Sequence, residues 1–400
     1  MRGRAAIVLL ALALPGCSRT YLEGSRDASP DSVDGPDEVE GDGEEPLPLL
    51  QTTSSRFHSC AWMPTGPVLC WGRNAFGELG DGSRESSAAP VAVVGLEDVV
   101  QVSAGGATDL GGSTCALLPD GTVGCWGSNY WGQLGDGSWV EDRPLPAPVP
   151  GISHAAAIDV GPKHACALLI DGSVACWGFN RSGQLGDGTR TDSPVPVTVA
   201  ALEGAVQIAV GSEHTCARLG DGAVFCWGHG GYGELGNGTT TAPWIPRPDR
   251  VLGLDDAVEI SAGGFSSCAR RASGQVVCWG NNEYGGLGDG TLIDRTTPVP
   301  VVGLTDATAL SRAHCALRSG GTVACWGSGV VGQLGNGSWD IVPSPVAVVG
   351  LDGVLRIAGE SPTCAVTLQG DLFCWGPNEY GQVGDGTTEN RNIPVSVAVF

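Results

Sequence analysis

The triplet Cys-Trp-Gly occurs seven times in this chain, beginning at Cys70, Cys125, Cys176, Cys226, Cys278, Cys325 and Cys374. The intervals are 55, 51, 50, 52, 47 and 49 residues, the mark of a structural repeat. Every copy keeps one internal order. An apolar segment such as Val206–Gly211 leads to a second such as His214-Thr215-Cys216-Ala217, and the triplet follows. Next come a Gly-Gln-Leu-Gly-Asp-Gly segment, clearest at Gly132–Gly137 and Gly183–Gly188, and a Pro-Val-x-Val segment, as at Pro194–Val197. Four short strands per unit, seven times over and without helical periodicity, predict an all-β fold: a seven-bladed β-propeller of four-stranded blades over residues 49–400. A parallel β-helix is the second reading, but its coils are usually shorter and lack hairpins within the unit. The 64 glycines and the charged fraction of only 16% fit turns between short strands.

The run Cys-Trp-Gly-x-Asn-x-x-Gly-Gln-Leu-Gly-Asp-Gly-Thr followed by Pro-Val-x-Val resembles the regulator-of-chromosome-condensation repeat family, over about residues 50–400. That resemblance also implies seven blades. Two copies depart from the pattern. Thr308-Ala309-Leu310-Ser311-Arg312 stands where other copies have the inner strand and its glycine, and Ser361-Pro362 replaces the usual histidine approach in the last unit. The chain starts this region at an inner-strand equivalent, residues 49–54, and ends it at a Pro-Val-x-Val strand, which leaves the manner of ring closure open.

Fourteen cysteines form pairs ten residues apart: Cys60/Cys70, Cys115/Cys125, Cys166/Cys176, Cys216/Cys226, Cys268/Cys278, Cys315/Cys325 and Cys364/Cys374. Glycine always stands six positions after the first member, as Gly172 follows Cys166. A three-residue hairpin loop ending in a left-handed glycine explains this. With Ile170-Asp171-Gly172 as the loop, Leu168 faces Val174 and Cys166 faces Cys176, at the close positions of the ladder where a disulfide fits. Free buried thiols and zinc are the alternatives; structural zinc sites gather four ligands in one place, whereas these pairs are spread round a ring. As disulfides they staple individual blades and do little for ring closure.

The N-terminus begins Met1-Arg2-Gly3-Arg4, continues apolar from Ala5 to Leu14, and reaches Pro15-Gly16-Cys17. Residues 1–16 are expected to be a secretory signal peptide of lipoprotein type, with Cys17 the lipidated residue and new N-terminus. Ser18 fits delivery to the bacterial outer membrane. An ordinary signal peptide cut elsewhere is the alternative. Residues 17–48, rich in Asp, Glu, Gly, Ser and Pro, read as an acidic disordered tether. Export to an oxidising compartment suits disulfides.

A formal net charge of −22 with a single lysine, Lys163, repels phosphate backbones and excludes a nucleic-acid partner as a first reading. Of six histidines, His58, His164, His214 and His314 lie one or two residues before the first cysteine of a repeat. A position reused in several blades reads as structural, a side chain bonding to neighbouring backbone. Asp81, Asp136, Asp187, Asp289 and Asp385, replaced in two copies by Asn237 and Asn336, read as turn caps in preference to calcium ligands. Neither a catalytic set, a metal nor a cofactor is expected.

Variation between copies carries more. The position before the Gly-Gln-Leu-Gly turn is Phe76, Trp131, Ser182, Tyr232, Tyr284, Val331 and Tyr380, and the following loops add Trp139, Trp244 and Trp339. Repetition places these in a ring on one face. Phe76, Trp131, Tyr232, Tyr284, Tyr380, Trp139 and Trp339 form the expected binding face; the alternative is that the rings only pack on the next blade. A family relative, the bacterial propeller-type beta-lactamase inhibitor protein, is similar in architecture and implies a binding role by analogy. The expectation is a monomeric, non-enzymatic envelope scaffold binding an extracellular or envelope protein, or a glycan. A polysaccharide- or peptidoglycan-acting enzyme using the channel is the alternative. Guanine-nucleotide exchange, the role of the family's namesake, is disfavoured for an exported acidic protein in which no exchange residue is matched.

Overall fold

The computed structural model describes residues 50–399 except 109, 140, 141 and 313. The signal segment, Cys17 and the tether lie outside the described residues. In the first repeat, β1 (Gln51–Ser54), β2 (His58–Trp62), β3 (Pro67–Gly72) and β4 (Ser87–Glu97) pair antiparallel in that order. Six more sheets repeat this order, spanning Gln101–Pro148, Ala155–Thr198, Ala205–Arg250, Ala257–Pro300, Ala307–Ala347 and Val354–Val397. The molecule is a seven-bladed propeller.

Every blade is made of consecutive strands, so closure involves no strand exchanged between the first and last units. Blade 7 packs face to face on blade 1 instead. Leu50, Ala61 and Trp71 share one buried cluster with Cys364, Cys374 and Val397. Six further clusters fill the other six interblade spaces.

The hairpins have the register expected. Leu169 donates its N–H to the Ser173 carbonyl and Gly172 to the Leu169 carbonyl, Gly172 has φ 82°, and Cys166 faces Cys176. All seven cysteine pairs are disulfides, with Cα separations of 4.0–4.1 Å. One expectation needs correction: the bridges do more than staple single blades. Strand side chains alternate between faces, so each bridge looks at the next blade while the adjacent tryptophan looks at the previous one. Cys166 and Cys176 therefore pack with Ile208, Val210 and Trp227 of blade 4, and Cys364 and Cys374 pack across the closing interface.

The seven tryptophans fix the spacing between blades. Each is buried, and each indole N–H donates to the carbonyl of the third-from-last residue in the Gly-x-Leu-Gly turn of the preceding blade, from Trp126 to Glu78 (2.8 Å) round to Trp71 on Gln382 (2.9 Å). The last glycine of that turn lies against the indole: a Cβ on Gly135 (φ 70°) would come within 2.8 Å of Trp177. Glycine is required there both by the conformation and by the close approach.

Candidate binding face

Antiparallel order puts two kinds of loop on one end of the ring: those joining first to second strands and those joining third to fourth. The seven exposed aromatic side chains among the described residues, Tyr130, Trp139, Tyr232, Trp244, Tyr284, Trp339 and Tyr380, all belong to this end. Among the described residues, the large hydrophobic side chains exposed at the opposite end are aliphatic, such as Ile170, Leu252 and Leu368.

The structure divides the expected face. Tyr232, Tyr284, Tyr380, Trp139 and Trp339 are exposed. Phe76 and Trp131 are only partly so. Trp131 stands edge-on to Phe179 of blade 3 with centroids 4.7 Å apart, and its indole nitrogen is buried without a partner. Tyr380 meets Phe57 (5.7 Å) and Tyr232 meets Phe265 (5.4 Å), in each case on the following blade. These rings therefore join blades as well as showing one side to solvent. Sequence reasoning missed Tyr130, the most exposed of the set.

Charged groups are interleaved with the rings in a recurring arrangement. Arg73 lies 4.9 Å from the Phe57 ring centre and 5.0 Å from that of Phe76, beside the buried Glu78. Burial pushes the Glu78 carboxyl up to about 6. Lys163 sits 5.0 Å from Phe179 and bonds Glu213 at 2.6 Å. His229 packs between Tyr232 and Phe265 and bonds the buried Glu234, which raises the imidazole above its ordinary value. Wherever the Gly-x-Leu-Gly turn carries Glu in place of Gln, at Glu78 and Glu234, the residue after Cys-Trp-Gly is basic, Arg73 or His229.

The four repeat histidines are structural, but their partners differ from expectation. His58, His164 and His214 use Nε2 to meet Thr114, Thr215 and Ser267 hydroxyls of the next blade at 2.7–2.9 Å. Those hydroxyls donate to the turn carbonyls of Glu78, Gln184 and Glu234. A side-chain hydroxyl, not backbone, receives the ring. Between blades 5 and 6 the same contact occurs with the residue types exchanged, Ser266 to His314 (2.7 Å). The larger His314 ring now fills the place of a small hydroxyl residue and lies against Gly286, where a Cβ would sit 2.9 Å away. Gly286 stands where the other turns have Gln or Glu. Burial holds His58 and His164 down at about 3 and His214 and His314 at about 4, so all four are neutral at physiological pH.

The aspartates cap turns: Asp187 accepts from the Thr189 N–H at 2.8 Å, and Asp81, Asp136, Asp289 and Asp385 do likewise. Asn180 also donates to Asp187 (3.2 Å). In the two blades where the aspartate is Asn237 or Asn336, that asparagine partner is Gly230 or Gly329. No group of three metal-ligating side chains occurs among the described residues.

The irregular sixth repeat has a definite role. Its first strand stops at Leu310, and Arg312 crosses the central channel to blade 3, donating to the Val160 carbonyl (2.7 Å) and the Asp159 carboxylate. Asp159 also accepts from Ser103 and from the Val210 N–H. Beside Arg312, Glu360 of blade 7 accepts from the Gly264 N–H (3.2 Å), and burial raises its carboxyl. Between blades 5 and 7 a cavity of about 420 Å³ opens to the aromatic end, walled by Tyr232, Phe265, Tyr284 and Trp326 and floored by His314 and Glu360.

Comparison with known proteins agrees with this architecture. The family model for the RCC1-like domain matches residues 111–400, and that for the regulator of chromosome condensation (RCC1) repeat matches residues 65–108. The probable E3 ubiquitin-protein ligase HERC6 of Homo sapiens is 37% identical over 147 residues, 35% of this chain and 14% of that protein. The ultraviolet-B receptor UVR8 of Arabidopsis thaliana is 31% identical over 260 residues, 63% of this chain and 58% of the receptor. The chain thus spans less than two thirds of the length of these relatives. Among solved structures, Prp20p of Saccharomyces cerevisiae superposes with a TM-score of 0.72 at 23% identity, covering 88% of this chain and 87% of that one. Human WBSCR16 gives 0.58 at 22%, covering 89% and 83%. These likenesses concern the fold.

Proposed function

Because the chain belongs to the RCC1-like domain family, whose ring offers a partner two distinct ends, we propose that it is a binding scaffold that engages a protein through its aromatic end. One observation carries this reading: all seven exposed aromatic side chains of the described residues lie on that end. Tyrosine and tryptophan bury large area at low entropic cost and dominate interface energetics. The location belongs to the same proposal. Seven disulfides need an oxidising compartment, which supports export, and Cys17 would tie the scaffold to the outer membrane. Arg312 spanning the channel weighs against a channel-borne enzyme.

The test is capture from envelope extract with the lipid-free propeller, comparing wild type, Trp139→Ala/Tyr284→Ala/Trp339→Ala, and Ile170→Ser/Leu368→Ser at the opposite end. A partner retained by wild type and the second variant but lost by the first is expected. Equal retention by all three, or loss only with the second, would overturn the reading.

A further inference from the structure

Toward the end of the ring opposite the aromatic side chains, neighbouring inner strands are braced by side chains. Register puts Gln51, Gln101, Ala157, Gln207, Glu259, Ala309 and Arg356 at one position of the seven inner strands, each facing the residue two after the first cysteine of its blade. The Gln101 carboxamide accepts from the Ile158 N–H (3.0 Å) and donates to the Ile158 carbonyl (2.8 Å). Gln207 does the same for Ile260 (3.1 and 3.0 Å), and Glu259 accepts from the Leu310 N–H (3.0 Å). An inner strand has no strand on its channel side, so each brace satisfies main-chain groups that need a partner from elsewhere.

Two adjacent braces are missing. Ala309 has no polar side-chain atom to offer Ile357 of blade 7, and Arg356, a donor only, cannot accept from Thr52 of blade 1. Among the described residues no side chain bonds the N–H of Ile357 or of Thr52. A hollow of about 410 Å³ lies there, lined by Gln51, Thr52, Ala309, Arg356 and Ile357 among others. Arg356 is exposed and makes no ion pair or hydrogen bond among the described residues. Glu259 is the one carboxylate in the lining, and both its oxygens are engaged, Oε2 by Arg270 (2.8 Å) and Oε1 by Leu310. Arg270 and Glu259 match one another, which leaves the Arg356 charge over. The hollow therefore joins an unpaired guanidinium to an open edge of extended main chain.

We propose that this hollow binds the C-terminus of a partner peptide. The terminal carboxylate meets Arg356, and the last residues take the N–H and C=O edge of Ile357 as Gln101 takes that of Ile158. A carboxylate is the acceptor that fits a guanidinium fork, and an extended residue presents an N–H and a C=O on one edge as a carboxamide does. The site is at the other end of the ring from the exposed aromatic side chains, so it stands independently of the role given to them.

Fluorescence anisotropy with the lipid-free chain from Ser18 onward tests it. The probe is a labelled pentapeptide pool, Gly-Ser-Gly-Ala followed by each of the twenty amino acids, with the amidated pool and sodium acetate as comparators. Members of the free-acid pool should bind, and amidation should cost about tenfold or more, as loss of a charge-assisted contact does. Arg356→Gln should cost a similar factor. Ala309→Gln should supply the absent brace, raise the melting temperature and exclude the peptide. Should Ala309→Gln lower the melting temperature instead, Arg356→Gln, on an exposed side chain, decides. No binding by any member, equal binding of the amidated pool, or unchanged affinity in Arg356→Gln would overturn the proposal. So would unchanged affinity in a stable Ala309→Gln, or acetate competing as well as peptide, which would reduce the hollow to a simple anion site.

Discussion

At the residue scale, repetition makes the exceptions informative. Four interblade spaces carry an imidazole-hydroxyl hydrogen bond, and in one of them the partners are exchanged. That exchange places the bulky ring of His314 beside the turn, and Gly286 is the only residue at its position small enough to accept it. We predict that Gly286→Gln destabilises the propeller by about 1–3 kcal/mol through overpacking, and that His314→Thr in the same molecule recovers most of that loss. Denaturant melts of the two single variants and the double variant give the coupling; additive losses would show that the two positions do not compete for one space. The neutral histidines also set a pH dependence. Their folded pKa values of about 3 to 4 lie below the unfolded value of about 6.5. The unfolded chain therefore binds more protons across that window, so stability is complete above pH 6.5 and declines as pH falls, by up to about 1.4 kcal/mol per pH unit for each histidine. Glu78 acts in the opposite direction, stabilising at low pH and losing that effect as pH rises through about 6, but it is one group over a narrower range. The melting temperature should fall between pH 6.5 and 4.5, and a flat profile would contradict the neutral buried state.

At the scale of the element, the blade was largely legible from the sequence. Glycine at a constant offset between two cysteines specified the loop length, the register and the facing pair, because a hairpin leaves few other solutions. The destination of the sulfurs was not legible: which neighbour a face meets depends on the packing of whole blades. Since each bridge lies in an interblade core, its removal should be felt beyond its own hairpin. Replacing Cys166 and Cys176 together by Ala is expected to lower stability by about 2–4 kcal/mol, and hydrogen exchange should rise in blade 4 around Ile208–Val210 as well as in blade 3. Exchange confined to blade 3 would restrict the bridge to a local staple. The outermost strands carry prolines, such as Pro194 and Pro196 in blade 3, which withhold ladder donors and blunt seven exposed edges against pairing with other chains.

At the scale of the molecule, the count of blades was available from the repeat and the candidate site only in part. The aromatic positions were visible because they recur, but the sequence did not show that Trp131 is committed to Phe179 while Tyr284 is left overhanging a cavity. The break at Thr308–Arg312 was visible as a departure and its use was not, since Arg312 meets Asp159 across 153 positions of sequence. Removing that guanidinium would leave a mostly buried carboxylate without its cation, so the pair braces opposite sides of the ring.

Closure without an exchanged strand has a further consequence. The joint between blades 7 and 1 keeps the indole contact found at the other six, with Trp71 bonding Gln382 as Trp126 bonds Glu78. The order in which the blades are threaded is therefore incidental to the ring. A circular permutant opened in the turn at Leu202-Glu203-Gly204, with a short linker joining residues 399 and 50, should reach the same native state.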